Sequence, residues 1–216
     1  MGKMLFVSGT GTDVGKTYFS ALLLKGMIQK GYNAGYYKPI VSGGLGDVKS
    51  VLKVSGLKRD PVELNTYCFE EPVSPELAAR KRNMIFDFDK IRNKIESLSK
   101  EFEYLIIEGA GGLGCPLRVG SEDIFTYGNF ASDLHLPTVL VAPAGLGSLS
   151  DSLAYKMMAE CLGINLLGFA LSRYRDDDPI ERDNKEQLPL IAKLPVLAVI
   201  ANNAAEIEFA TEDFFP

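Results

Sequence analysis

Gly9-Thr10-Gly11-Thr12-Asp13-Val14-Gly15-Lys16-Thr17 lies between a short apolar run, Met4 to Ser8, and a stretch from Tyr18 to Lys30. In that stretch Phe19, Leu22, Leu23 and Met27 recur at helical spacing, and Gly31 follows as a terminator. A buried strand, a glycine-rich loop and a helix in this order aim loop amides and a helix amino end at one point. That is the arrangement of a phosphate-binding Walker A loop. In such a loop Lys16 neutralises the outer phosphates of a nucleoside triphosphate and the Thr17 hydroxyl ligates Mg²⁺. Five residues rather than four separate Gly9 from Gly15, a spacing that marks one branch of these loops. A dinucleotide fingerprint, G-x-G-x-x-G, is excluded, since it spaces its glycines differently and has no use for Lys16.

Outward from the loop, the chain alternates strand-like and helical segments. Asn33 to Lys38 reads as a second strand ended by Pro39, and Tyr104 to Ile107 and Thr138 to Ala142 read as central strands. Leu166 to Leu171 and Pro195 to Ile200 follow as further strands. Helices are expected at Val48 to Val54, from Ser74-Pro75-Glu76 into Arg80, along Phe88, Ile91, Ile95 and Leu98, and at Ser150 to Leu162. Pro61 to Pro75 reads as irregular, and the tail from Glu206 to Pro216 as acidic and rich in phenylalanine. The pattern predicts one domain over 1–216: a three-layer, P-loop NTPase-like α/β fold whose mostly parallel sheet of about seven strands is flanked by helices.

Composition narrows the chemistry. With 46% hydrophobic and 24% charged residues among 216, the chain can bury a sizeable core. Its net charge of −5 provides no electrostatic footprint for nucleic acid or anionic lipid. Cys68, Cys115 and Cys161 lie far apart, which argues against zinc and a disulfide framework and fits a reducing cytoplasm. No apolar run is long enough to span a bilayer. The single histidine, His135, excludes chemistry that needs several. It is expected in the last turn of a helix, complementing the dipole.

Ligands of open α/β sheets bind beyond the carboxyl ends of the strands. There the chain places Lys38-Pro39-Ile40-Val41-Ser42-Gly43, Glu108-Gly109-Ala110-Gly111-Gly112 and Ala144-Gly145-Leu146-Gly147-Ser148-Leu149. Lys38 is expected beside Lys16 over the phosphates. Glu108, ending an apolar strand, needs a cationic partner or a metal ion. With Thr17 and Asp47 it offers an oxygen set suited to Mg²⁺.

Five segments together, 9–17, 38–43, Ser74-Pro75-Glu76-Leu77-Ala78-Ala79, 108–112 and Leu146-Gly147-Ser148-Leu149-Ser150, resemble the dethiobiotin synthetase family in sequence and order. The resemblance covers Phe6 to about Val199. It implies an ATP-dependent enzyme that carboxylates 7,8-diaminopelargonic acid with CO₂, phosphorylates the carbamate and closes the ureido ring. By resemblance Lys38, Lys16 and Thr12 are catalytic. Asp13, Val14, Gly15, Lys16, Thr17, Tyr18, Asp47, Glu108, Gly111 and Ser172 serve the nucleotide and its Mg²⁺, with Thr17, Asp47 and Glu108 as metal ligands. Thr12, Ser42, Gly111 and Gly112 face the diamine and its carbamate. Gly147, Ser148, Leu149 and Ser150 receive the carboxylate of a diamine bound by the other subunit of a homodimer.

The chain departs from the family at Asp13, commonly glutamate, at Ser172, usually asparagine, and at Ala198-Val199-Ile200-Ala201, usually Gly-x-Ile-Pro. A serine cannot make the two-point contact of an amide with adenine. Either nucleotide choice is relaxed or Asn202 and Asn203 supply the contact. The rival function is a P-loop switch ATPase of the MinD or ParA type, acting on protein partners. Thr10 stands where such proteins carry an extra lysine, and the tail is acidic rather than basic. A fused glutaminase, as in the amidating synthetases of cobyrinic acid metabolism, does not fit in 216 residues.

Overall fold

The computed structural model describes residues 2–121 and 123–216. Its seven-stranded sheet has the order β3-β2-β4-β1-β7-β8-β9, and every pairing within it is parallel. These strands are β1 (Lys3–Gly9), β2 (Ala34–Ser42), β3 (Asn65–Phe69), β4 (Tyr104–Glu108), β7 (Thr138–Pro143), β8 (Leu166–Tyr174) and β9 (Val196–Ala201). A separate two-stranded antiparallel ribbon joins β5 (Pro116–Val119) and β6 (Ile124–Thr126). The helices are α1 (Lys16–Gln29), α2 (Gly46–Ser55), α3 (Pro75–Lys81), α4 (Phe88–Glu101), α5 (Tyr127–Asp133), α6 (Ser148–Cys161), α7 (Pro179–Ala192) and α8 (Thr211–Phe214). None of the described helices is long and apolar enough to cross a membrane.

Strands covered on both faces must be apolar on both faces. Alternation sends Leu5, Val7, Tyr36, Ile106, Val139 and Val141 to one face, where α1, α2 and the carboxyl-terminal segment cover them. It sends Phe6, Tyr37, Ile107 and Leu140 to the other, against Ile91, Ile95 and Leu98 of α4 and Leu188 of α7. Each fully buried aliphatic side chain contributes about 1.5–3 kcal/mol. Two helix layers, one on each face, supply many such contacts, which explains why the apolar runs read so clearly. The tail completes the α1 side. Phe214 lies 5.7 Å from Phe19 between ring centroids, Phe209 crosses Gly26 so closely that a Cβ there would come within 2.5 Å of its ring, and Lys3 Nζ donates to the Phe215 carbonyl at 2.9 Å.

Several expectations are corrected. β2 does not stop at Pro39 but runs to Ser42. Its last β4 partner pair is Tyr37 with Ile107, after which Ile40, Val41 and Ser42 pair with β3, and Pro39, lacking an N–H, is skipped by both ladders. β3 itself lies within the stretch read as irregular. Its strand-forming Thr66, Tyr67 and Phe69 are hidden between prolines, and Asn65 pegs the register by donating to the Lys38 carbonyl at 2.8 Å. His135 is not in a last helical turn: it is exposed, one residue past the α5 cap, at φ +49°. α2 and α6 each begin two residues earlier than read, at Gly46 and Ser148. α5 is the helix expected to end near His135, whereas α7 and the β5–β6 ribbon have no counterpart in the sequence reading.

Candidate functional site

β1 ends at Gly9, and the chain re-enters helix at Lys16 through Gly15, whose φ of +96° suits glycine alone. No side chain caps this end, so the first amides of α1 are free for an anion. A Cβ on Gly15 would sit 3.1 Å from the Ser172 Cβ, and the Ser172 hydroxyl donates to the Val14 carbonyl at 2.6 Å. Ser172 therefore backs the loop. Arg173, itself at φ +57°, donates to the Asp13 carbonyl on the outer side. Lys16 is buried, with its Nζ donating to the Gly11 carbonyl at 2.7 Å. Burial lowers its pKa, with Lys38 adding to the effect and Glu108 opposing it.

β4 lies between β1 and β2, so Glu108 at its end faces both Thr17 and Lys38. The Glu108 side chain is fully buried. Its Oε1 accepts from Lys38 Nζ at 2.8 Å and from Thr17 Oγ1 at 2.8 Å, while Oε2 accepts from the Tyr36 hydroxyl at 2.9 Å. Lys38 also donates to Asp47. Burial alone would lower the Lys38 pKa, but Glu108 and Asp47 outweigh it and raise it, so the ammonium persists. Tyr36 is pushed well above the usual phenol value, first by burial and then by Glu108, and stays a donor. Thr17 and Asp47 line the cleft, with Glu108 buried behind them and Lys38 bridging the two carboxylates, and hard oxygen donors of this kind suit Mg²⁺. Among the described residues no group of three or more His, Cys, Asp or Glu could hold a metal, so the Thr17 hydroxyl and ligand oxygens are needed to complete the shell.

A cleft of about 930 Å³ opens above these groups. It brings together Thr12, Asp13, Gly15, Lys16, Thr17, Tyr18, Lys38, Ser42, Asp47 and Gly111, all named from the sequence. Gly43, Ser50, Pro72 to Pro75, Ala110, Cys115 and Arg173 complete its wall. Val14 is packed beneath the loop, and Gly112 is buried where a Cβ would strike Tyr155 at 2.5 Å and the Gly9 carbonyl at 2.8 Å. Asn202 and Asn203 are exposed in the turn after β9 and do not line the cleft. Sequence reading missed Tyr36, Cys115 and Arg173. Tyr36 carried no signal beyond strand alternation, and Arg173 follows Ser172 directly. Burial pushes the Cys115 thiol up to about 11, leaving a neutral wall residue at ordinary pH.

Gly147, Ser148, Leu149 and Ser150 lie elsewhere, at the amino end of α6 and outside this cleft. Gly147 caps α6 at φ +89° without a side-chain cap, and the Ser148 hydroxyl is buried without a partner among the described residues. Asn184 of α7 donates to the Ala144 carbonyl at 2.8 Å and the Gly145 carbonyl at 2.9 Å, pinning the loop. Leu146, just before the helix, is 90% exposed.

The profile of the AAA domain family matches residues 3–206. The chain is 36% identical over 220 aligned positions to a protein of Clostridium kluyveri named ATP-dependent dethiobiotin synthetase BioD, with 96% of this chain and 91% of that protein covered. It is 33% identical to a protein of the same name from Clostridium perfringens, covering 86% and 85% of the two chains. Among solved structures, it resembles the MinC:MinD cell division complex of Aquifex aeolicus (TM-score 0.59, 12% identity, 92% of this chain and 81% of that chain). Pyrococcus furiosus MinD gives a TM-score of 0.54 at 21% identity, covering 93% and 84%. At these identities the structural likeness speaks for the fold alone.

Proposed function

Because this chain belongs to the ATP-dependent dethiobiotin synthetase family, a ligase family of biotin biosynthesis, we propose that the cleft is where it makes dethiobiotin from 7,8-diaminopelargonic acid, CO₂ and ATP. The chain acts as one domain, 1–216. The observation that carries the reading is the buried Lys38, charged and held by Glu108 at 2.8 Å next to the phosphate loop. An amine of the substrate adds to CO₂ and releases a proton, forming a carbamate. A carbamate oxygen attacks the γ-phosphorus and ADP leaves. The second amine attacks the carbamoyl carbon and displaces phosphate, its N–H proton passing to the departing phosphate or to water, and the ring closes.

Carbamate and triphosphate repel each other, so Lys16, Lys38 and the free amides of α1 hold them together and stabilise the migrating charge. Mg²⁺, held by Thr17, Asp47 and Glu108, supplies further neutralisation when bound. The carbamate is already deprotonated, so no histidine base is required. Thr12, Ser42, Gly111 and Gly112 are proposed to border the diamine. Asp13, Val14, Gly15 and Tyr18 border the nucleotide. Ser172, whose hydroxyl is engaged by Val14, acts on the loop rather than on the base, which supports acceptance of CTP or GTP beside ATP.

The amino end of α6 is proposed to receive the substrate carboxylate from the neighbouring subunit of a homodimer. Its place outside the cleft lining, its uncapped amides and the exposed Leu146 before it support this. Free Cys68, Cys115 and Cys161 suit a reducing cytoplasm.

The test mixes protein, MgATP, bicarbonate and 7,8-diaminopelargonic acid and follows phosphate and dethiobiotin mass. Phosphate release tied to the diamine, one per dethiobiotin, is expected. Diamine-independent hydrolysis with no product would instead favour a switch ATPase.

A further inference from the structure

Two tyrosines stand side by side on β2, both fully buried, and strand alternation sends them to opposite faces of the sheet. The Tyr37 hydroxyl pairs with Thr66 Oγ1 at 2.5 Å, and Tyr37 is not among the residues lining the cleft. The Tyr36 hydroxyl donates to Glu108 Oε2 at 2.9 Å. Among the described residues this is the one hydrogen bond that oxygen receives. Glu108 Oε1, by contrast, is shared by Lys38 and Thr17 at 2.8 Å each.

We propose that Tyr36 is a positioning residue for phosphoryl transfer: its hydroxyl fixes the plane of the Glu108 carboxylate so that Oε1 faces Lys38 and Thr17. A glutamate side chain can rotate, and rotation would exchange Oε1 for Oε2 or turn both from the cleft. With Oε2 tied to a rigid, buried ring, that freedom is lost. The Thr17 hydroxyl donates its proton to Oε1, so its lone pairs remain directed to the cleft. Tyr36 thereby acts through Glu108 on both the lysine and the Thr17 oxygen without touching the reacting atoms. Outer partners of this kind tune how well a carboxylate serves a bound cation.

The inference rests on the reading of Thr17, Asp47 and Glu108 as ligands for Mg²⁺, and the test separates the two. Tyr36→Phe and Tyr37→Phe each remove one hydroxyl from a buried ring and leave its volume unchanged, so Tyr37→Phe measures the purely structural effect. ADP affinity is measured by calorimetry with Mg²⁺ and with EDTA, alongside kcat and KM for ATP and the diamine, and thermal melting. In wild type, Mg²⁺ tightens ADP binding. Tyr36→Phe is expected to lose about 10- to 100-fold of that gain and of kcat, with metal-free ADP affinity and diamine KM unchanged. Tyr37→Phe keeps the wild-type gain and kcat. A Tyr36→Phe protein with the full Mg²⁺ gain and kcat, or a Tyr37→Phe protein with the same loss, overturns the inference. A wild type whose ADP affinity ignores Mg²⁺ overturns the metal reading, and the inference with it.

Discussion

At the end of β1 the chain enters α1 through Gly15 at φ +96°, and at the end of β7 it enters α6 through Gly147 at φ +89°. Both are strand, glycine turn and helix, neither helix is capped by a side chain, and both leave amides free. Around the first turn stand Lys16, Lys38, Glu108 and Asp47. Around the second, the first turn of α6 carries Asp151, Asn184 pins the carbonyls, and the Ser148 hydroxyl is buried without a partner among the described residues. The backbone makes each a place for an anion. The side chains decide whether it is a multiply charged phosphate or, as proposed, a single carboxylate.

The largest effect that could break this contrast is at the lysines. Lys16→Ala and Lys38→Ala are each expected to lower kcat by about 10²–10³-fold or more in a steady-state assay. Near-normal rates would mean that the amides suffice and that the two loops differ little. The pair also divides on stability. Lys38→Ala strands the buried Glu108, at a cost of about 3–5 kcal/mol read as a lowered melting temperature. Among the described residues the Lys16 ammonium makes one hydrogen bond, to a carbonyl, and pairs with no carboxylate, so Lys16→Ala melts close to wild type.

A smaller, sharper effect is expected at the two glycines. Alanine at a left-handed position costs about 1–2 kcal/mol, or about tenfold in an equilibrium. Gly15→Ala should weaken ATP, the more so because its Cβ would meet Ser172 at 3.1 Å. Gly147→Ala should raise KM for the diamine acid and leave ATP affinity unchanged. If both variants weaken the same ligand, the division of labour between the loops is wrong.

The smallest effect is at Asn184. Asn184→Ala removes two hydrogen bonds of about 1 kcal/mol each, so the diamine KM rises severalfold at constant kcat. A diamine lacking the carboxylate should not sense the change. Equal sensitivity of both substrates would assign Asn184 to general packing.

Much of the first loop was readable because its chemistry is local: Gly9 to Thr17 are contiguous, and the strand and helix around them have strong periodicity. Lys38 and Glu108 were readable as residues at strand ends. The seven-strand parallel sheet followed from βα alternation, but β3 did not, because prolines on either side of Asn65–Phe69 mask a short edge strand. The roles of Tyr36 and Ser172 were hidden for another reason. Strand alternation tells which face a residue takes, not which neighbour waits there, and so Ser172 read as a base contact while its hydroxyl meets Val14.

By itself the sequence determined a phosphate loop, a parallel α/β fold and the cast of charged residues, since these follow from spacing along one chain. Only the tertiary structure decided that β4 lies between β2 and β1. Adjacent strands stand about 4.8 Å apart, and that order alone brings residues 17, 36, 38 and 108 within hydrogen-bond reach. Chain order does not specify strand order, because loop closure costs little more for a distant neighbour than for a near one.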